Sequence, residues 1–352
     1  MMDVMVARGV EQHGKDHKRP TSRVKLGASR SIAGPALDAY ILPACADDQT
    51  RPDDMTRIAD IHGDPEREGR QAGGSVSFST RVQRRYDLFW RKPRFSLHTR
   101  GLCQRTYLSR EDPLEKWHCC PFWQRKLSNK WNSREFAQKL GCAVPELYWS
   151  GSDVDEIPFG RLPDQFVVRS AVGHSRQAVL VLDHGRNLFN GERYDPARIR
   201  EAMRMHVRGL PRGRLLVEEF IVPERGAPSA LPRDYKFHVF GDQMGSIAVI
   251  ERGTRVTTSI FDDAWNPLPK VCRADAAPDV VPPRPACFDE MRAMATTLGT
   301  AFGSYVRVDL YAGPRGALFG EFAATPNKGR GFTAFGDRRL GDFWARTYPD
   351  RV

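Results

Sequence analysis

Tyr305 to Phe322 reads YVRVDLYAGPRGALFGEF. Two runs of Val, Leu, Tyr and Phe flank Gly313-Pro314-Arg315-Gly316, and apolar runs bounded by Gly and Pro pair as a β-hairpin. Each run carries one acid, Asp309 and Glu321. An ionised carboxylate in such a strand is costly unless it is paired or bound to a cation. The two acids therefore pair with a neighbour such as Arg307, lie at wet strand ends, or hold a divalent metal between them. Magnesium suits the last arrangement because it takes few carboxylates, keeps waters and shares its remaining positions with substrate phosphates. Arg307 precedes Asp309 by two residues and shares its face of the strand.

Working back from the hairpin, Phe288 to Leu298 reads as a helix, and Tyr235 to Phe240 with Gly245 to Ile250 as a second hairpin around Gly241-Asp242. Arg214 to Val222 reads as a strand and Pro196 to Val207 as a helix. Phe166 to Ser170 and Ala178 to Leu182 read as short strands around the polar turn Gly173-His-Ser-Arg-Gln177. A strand is expected at Glu146 to Trp149. Asn132-Ser133, followed by Glu135, Phe136, Ala137 and Leu140, predicts a capped helix ending at Gly141. The elements lack a strict strand, helix, strand repeat, so the fold class is α+β with largely antiparallel sheets.

The 352 residues suffice for one large domain or two to three lobes. With 40% hydrophobic and 28% charged residues and a mean hydropathy of -0.51, a soluble packed protein is expected. No apolar run spans a bilayer, and Met1 to Pro20 lacks the apolar core of a secretory signal, which argues against export. Seven scattered cysteines without a repeated Cys-x-x-Cys pair fit a reduced cytoplasmic protein. Residues 1–80 are polar and broken by Gly and Pro, and read as disordered. Residues 81–125 form a basic arm rich in aromatics, among them Tyr107 and Trp117, which is expected to pack on the main body rather than lie exposed. A peripheral place at the inner membrane surface is the alternative for this arm. The net charge of +11 suits a polyanionic partner, but no helix-turn-helix, zinc-finger or RNA-binding signature accompanies it, which argues against nucleic acid.

Polar groups stand where a nucleotide could use them. Arg169 ends a strand just before Gly173 and Ser175, whose backbone amides could cradle phosphates. Glu218 and Glu219 lie within the apolar run Leu215 to Ile221. There they are either solvated acids of an edge strand or groups presented to a base and its sugar.

In order, the segments Lys126-Leu-Ser-Asn-Lys130, Leu162-Pro-Asp-Gln-Phe-Val-Val-Arg169, Val217-Glu-Glu-Phe220, Asp234-Tyr-Lys-Phe237, Val306-Arg-Val-Asp-Leu-Tyr311 and Phe319-Gly-Glu321 resemble the ATP-grasp superfamily, and within it the TupA-like group linked to teichuronopeptide and other surface-polymer synthesis. The likeness covers about Lys126 to Trp344. It implies an ATP-grasp fold over 126–345, with nucleotide held between a lobe at about 160–222 and a metal-binding lobe at about 232–345.

The resemblance also implies roles. Lys130 and Arg169 would reach the phosphates together with Gly173 and Ser175. Glu218 and Glu219 would flank adenine and ribose. Lys236 and Arg307 would act on the transferred phosphoryl group, and Asp309 and Glu321 would hold Mg²⁺. The implied reaction is an ATP-dependent joining of a carboxylate to an amine through an acyl phosphate, with a surface glycan or peptide polymer as the carboxylate-bearing partner. Three positions depart from the pattern. Asn129 stands for an Asp, Arg169 for a Lys, and Ala323 for an Asn or Thr that could ligate metal, with Thr325 or Asn327 as substitutes. Lys328 and Arg330 are candidates for gripping the substrate. These departures keep open a weakened, non-catalytic nucleotide-binding module, and a sugar kinase is a third reading.

Overall fold

The computed structural model describes residues 106–119, 123–172, 178–207, 214–225, 227, 229–273, 276–278, 280–326 and 331–349. The expectations for residues 1–80, for most of the arm, and for Gly173, Ser175, Asn327, Lys328 and Arg330 lie outside these residues.

A short helix α1, Leu114–His118, and a 3₁₀ turn, Trp123–Ser128, lead into helix α2, Lys130–Lys139. The cap of α2 is Asn129, whose Oδ1 accepts from the amides of Trp131 and Asn132. The helix thus starts before Asn132, the expected cap. Asn132 is wholly buried; it accepts from the Leu108 amide at 2.9 Å and donates to the carbonyls of Thr106 at 2.8 Å and Lys126 at 3.1 Å. Its competence as a cap is taken up in tying the preceding segment to the helix. The other end falls as expected, with Gly141 at φ +75° reversing the chain.

The first sheet has the order β1-β5-β2-β3-β4, all antiparallel, built from β1 Leu147–Gly151, β2 Gln165–Ser170, β3 Val179–Asp183, β4 Arg186–Asn187 and β5 Leu215–Glu219. Strand β5 is interior, which removes the edge-strand reading of its acids. Phe166, Val168, Leu180, Leu182, Leu215 and Val217 point one way and form a core with Ile199 and Met203 of helix α3, Pro196–Val207. The alternate positions, Arg169 and Glu218 among them, point the other way.

The second sheet, β10-β9-β6-β7-β8, is likewise antiparallel: β6 Asp234–Phe240, β7 Gln243–Arg252, β8 Val256–Phe261, β9 Tyr305–Gly313 and β10 Gly316–Ala323. Tyr235, Phe237, Val239, Val306, Val308 and Leu310 belong to one core with Met291, Ala295, Leu298 and Phe302 of helix α4, Phe288–Phe302. The helix runs one turn beyond its expected end. Strand β8 and helix α5, Ala334–Thr347, were not anticipated; α5 sets Trp344 edge-on to Phe240 at 6.5 Å.

Helix α4 lies so close on β6 that a Cβ at Gly299 would come within 2.4 Å of the Val239 side chain and 2.5 Å of the Gly241 carbonyl oxygen. The second obstacle is backbone and cannot rotate away. Gly299→Ala is therefore expected to lower stability by about 2 kcal/mol despite the better helix propensity of Ala. A fall in the urea midpoint measures this, and an unchanged midpoint would show that the helix can shift freely.

Candidate active site

On the face of the second sheet away from α4, antiparallel register aligns three side chains in one row. Lys236 pairs with Asp309, and Asp309 with Glu321. A bulge at Gly320 lets Glu321 rather than its neighbour face Asp309. Lys236 Nζ lies 2.5 Å from Asp309 Oδ2 and 3.5 Å from Asp234. Arg307, in the adjacent row opposite Ala323 and His238, grips Asp309 with both arms, at 2.6 and 2.7 Å. Asp309 is thus paired with two cations, as the plainer reading of the strand allowed.

Glu321 is 36% open to solvent, lies 3.4 Å from Lys130 and 4.0 Å from Arg307. Burial pushes its carboxyl up, but Lys130 foremost, then Lys236, Arg307 and Arg169, hold it down to about 2. Asp234 is likewise held at about 2, with burial outweighed by Lys236 and Arg252. Arg252 pairs directly with Asp234, which also takes a hydrogen bond from Tyr311. Burial, with Asp234 and Glu321 nearby, raises the Tyr311 phenol well above its ordinary range.

The two sheets meet at this row. Lys130, at the start of α2, reaches Glu321, and Arg169 on β2 feels the charge of Glu321. At one margin Arg315 of the β9–β10 turn pairs with Glu219, whose carboxylate also accepts from the Glu146 amide at 2.9 Å. Glu218 is 3% exposed and its two oxygens are taken by Arg169, 2.6 Å away, and Arg134, 3.1 Å away. It stands apart from Lys236, Arg307, Asp309 and Glu321, which the structure brings together with Lys130.

The donor set suits a hard divalent cation sharing phosphate oxygens: two carboxylates on adjoining strands, one of them open, ringed by lysines and arginines. Among the described residues no third acid, His or Cys completes a site made by protein alone. Ala323 offers no ligand, and the Thr325 hydroxyl accepts from Arg125 at 2.8 Å, so it is not idle as a substitute.

Sequence reasoning passed over Asp234, Arg252, Tyr311 and Arg134. Asp234 carried the same signal as Asp309, an acid alternating with a cation in the apolar run DYKFHVF. The others become visible only through register.

Two antiparallel α+β lobes meeting at a cation-ringed pair of acids have the ATP-grasp fold. The family model described as TupA-like ATPgrasp matches residues 124–345, and the chain belongs to that family. No curated protein matches it. Among solved structures it is similar to D-alanine–D-alanine ligase from Bacillus anthracis, with 14% identity over 65% of this chain and 70% of that one and a TM-score of 0.44. The ATP-grasp ligase PsnB, complexed with a phosphomimetic variant of its minimal precursor, Mg and ADP, aligns at 14% identity over 65% of this chain and 60% of that one, TM-score 0.37. An L-amino acid ligase from Bacillus licheniformis aligns at 14% over 60% and 44%, TM-score 0.38. The chain therefore spans less than half the length of that last protein. No helix among the described residues is long and apolar enough to cross a membrane.

Proposed function

We propose that the protein is an ATP- and Mg²⁺-dependent carboxylate–amine ligase working through an acyl phosphate. The observation that carries this reading is the row Lys236, Asp309, Glu321 with Arg307 beside it, faced by Lys130 at the start of α2 and by Arg169 of the first sheet. Such a site is built to gather negative charge. Among the described residues it contains no activated nucleophile, and phosphoryl transfer needs none, since positioning and charge neutralisation do the work.

In this reading Lys130 and Arg169 bind the phosphates of ATP, and Glu219 lies at the margin where base and ribose enter. Asp309 and Glu321 would hold Mg²⁺, which supplies charge neutralisation on the phosphate oxygens. The substrate carboxylate oxygen attacks the γ-phosphorus and ADP leaves. Arg307 and Lys236 stabilise the charge that accumulates on the transferred group. An amine then attacks the acyl carbon, and inorganic phosphate departs as the amide forms. The carboxylate belongs to an amino acid or uronic acid of a surface glycan or peptide polymer, and the enzyme works in the cytoplasm; the net positive charge suits such an anionic partner.

The test is ADP release by the purified protein with Mg²⁺ or EDTA, across a panel of amino acids and uronic acids with amine acceptors. Metal-dependent release stimulated by one carboxylate, with an amide product in the mass spectrum, is expected. A stable phosphorylated sugar would make the protein a kinase instead. Binding of ATP without turnover would favour the non-catalytic module, to which Ala323 beside Arg307 already lends weight.

A further inference from the structure

Glu218 and Arg134 form a buried assembly that the reaction above does not use. Glu218 sits near the middle of the first sheet, on the face turned away from α3. Its Oε2 lies 2.6 Å from Arg169 Nε and its Oε1 3.1 Å from Arg134 Nη1. Arg134 Nη1 also donates to the Pro145 carbonyl at 2.5 Å, and its side chain is 7% exposed. Arg169 is 14% exposed, and Glu218 is the only carboxylate it touches among the described residues. Both Glu218 oxygens are held by guanidinium groups, Arg134 through a hydrogen bond and Arg169 through an ion pair whose buried Nε–H is not aligned for one.

Arg134 follows Lys130 by four residues on α2, so the two share one face of the helix. One turn reaches Glu321 of the second sheet, and the next reaches Glu218 of the first. The same short helix thereby fixes a cation on each side of the junction. A flexible arginine gains most as a phosphate ligand when its geometry is set beforehand, because ordering it at the moment of binding is unfavourable.

We infer that Arg134 and Glu218 are positioning residues that clamp Arg169 in the orientation in which it meets the nucleotide phosphates, and that neither touches the nucleotide itself. The inference rests on the ligase reading for the identity of what Arg169 meets.

Two measurements test it. In nucleotide-free protein the Nε–H proton of Arg169, identified by its loss in Arg169→Lys, is expected to be protected from exchange, and to exchange at least about 10-fold faster in Arg134→Met and Glu218→Gln. Unchanged protection in Arg134→Met overturns the clamp. With Mg·ADP as probe, Arg134→Met and Arg169→Met are each expected to weaken binding by about 10-fold, and the double variant no more than either alone, because one acts through the other. Additive losses overturn the inference. Should Arg134→Met fail to fold, the Arg134→Met/Glu218→Met pair removes both buried charges together and serves in its place. If the wild-type protein binds no Mg·ADP, it is the ligase reading that fails, and the exchange measurement still decides the clamp.

Discussion

Glu321→Gln is expected to lower Mg²⁺-dependent ADP release by about 10³-fold, the scale on which a single charge-stabilising group acts at a preorganised site. The same variant should bind ADP in the absence of metal as well as the wild type, or more tightly. The reason is the charge around it. Lys130 and Arg307 lie 3.4 and 4.0 Å from this carboxylate, and Lys236 and Arg169 add to the field that keeps it ionised. Neutralising Glu321 removes a metal ligand and at the same time frees those cations for phosphate. Opposite signs for turnover and metal-free binding separate this from general damage to the fold, which would weaken both. Asp309→Asn should share the loss of turnover. Its bidentate pair with Arg307 would also be broken, so a drop in stability should accompany it. Full turnover in either variant would remove that residue from the site.

The second large effect concerns acid. His238 is buried on the row next to Lys236, its Nδ1 2.7 Å from the Tyr305 hydroxyl, with Phe332 edge-on to its ring. Burial, followed by the charges of Arg307 and Lys236, lowers its pKa from 6.5 to about 3. The unfolded chain takes up a proton below about 6.5 and the folded protein does not until near 3. This contribution is whole above 6.5 and is lost as pH falls toward 3. Fully expressed, it amounts to roughly 5 kcal/mol at about 1.4 kcal/mol per tenfold change in proton affinity. Asp234 and Glu321, both held near 2, push the same way at the acid end. Urea midpoints of the wild type should therefore fall steadily from pH 6.5 to 4.5. His238→Gln keeps a partner for Tyr305 without a titrating group, and its midpoints should be nearly flat over that range. Parallel slopes for the two proteins would show that the proton goes elsewhere.

The hairpin that carries Asp309 and Glu321 was legible because acids interrupting an apolar run are rare, and the period of a strand says which neighbours share their face. Alignment of Lys236, Asp309 and Glu321 across three strands was legible only in part. Sequence named the residues, while a bulge at Gly320 decided that they meet. Strand β8, VTTSIF, escaped notice because its Thr and Ser residues blur the apolar signal, and α5 because Gly336 and Gly341 weaken a helical pattern that packing restores. The nucleotide role of Glu218 is an expectation from the family resemblance, whereas its contact with Arg134, 84 residues away in the chain, was not legible, because no local pattern joins positions so far apart.

The Trp117 side chain is wholly buried, 5.4 Å from the ring of Phe136 on α2, while Asn132 and Glu135 of the same helix hold the Leu108 and Arg110 amides. The stretch of likeness to the family opens only at residue 124. Recognisable ancestry and autonomous folding thus begin at different places in this chain. An expression fragment trimmed to the recognisable part would retain every charged group of the junction yet strip one side of the helix that presents Lys130 and Arg134, leaving Phe136 facing water. Such a fragment would be expected to collect in the insoluble fraction, and a fragment starting before Thr106 to remain in solution. For a protein of this kind the useful boundary is drawn by what shields α2, and part of that shield, Trp117, lies outside the stretch that the family model matches.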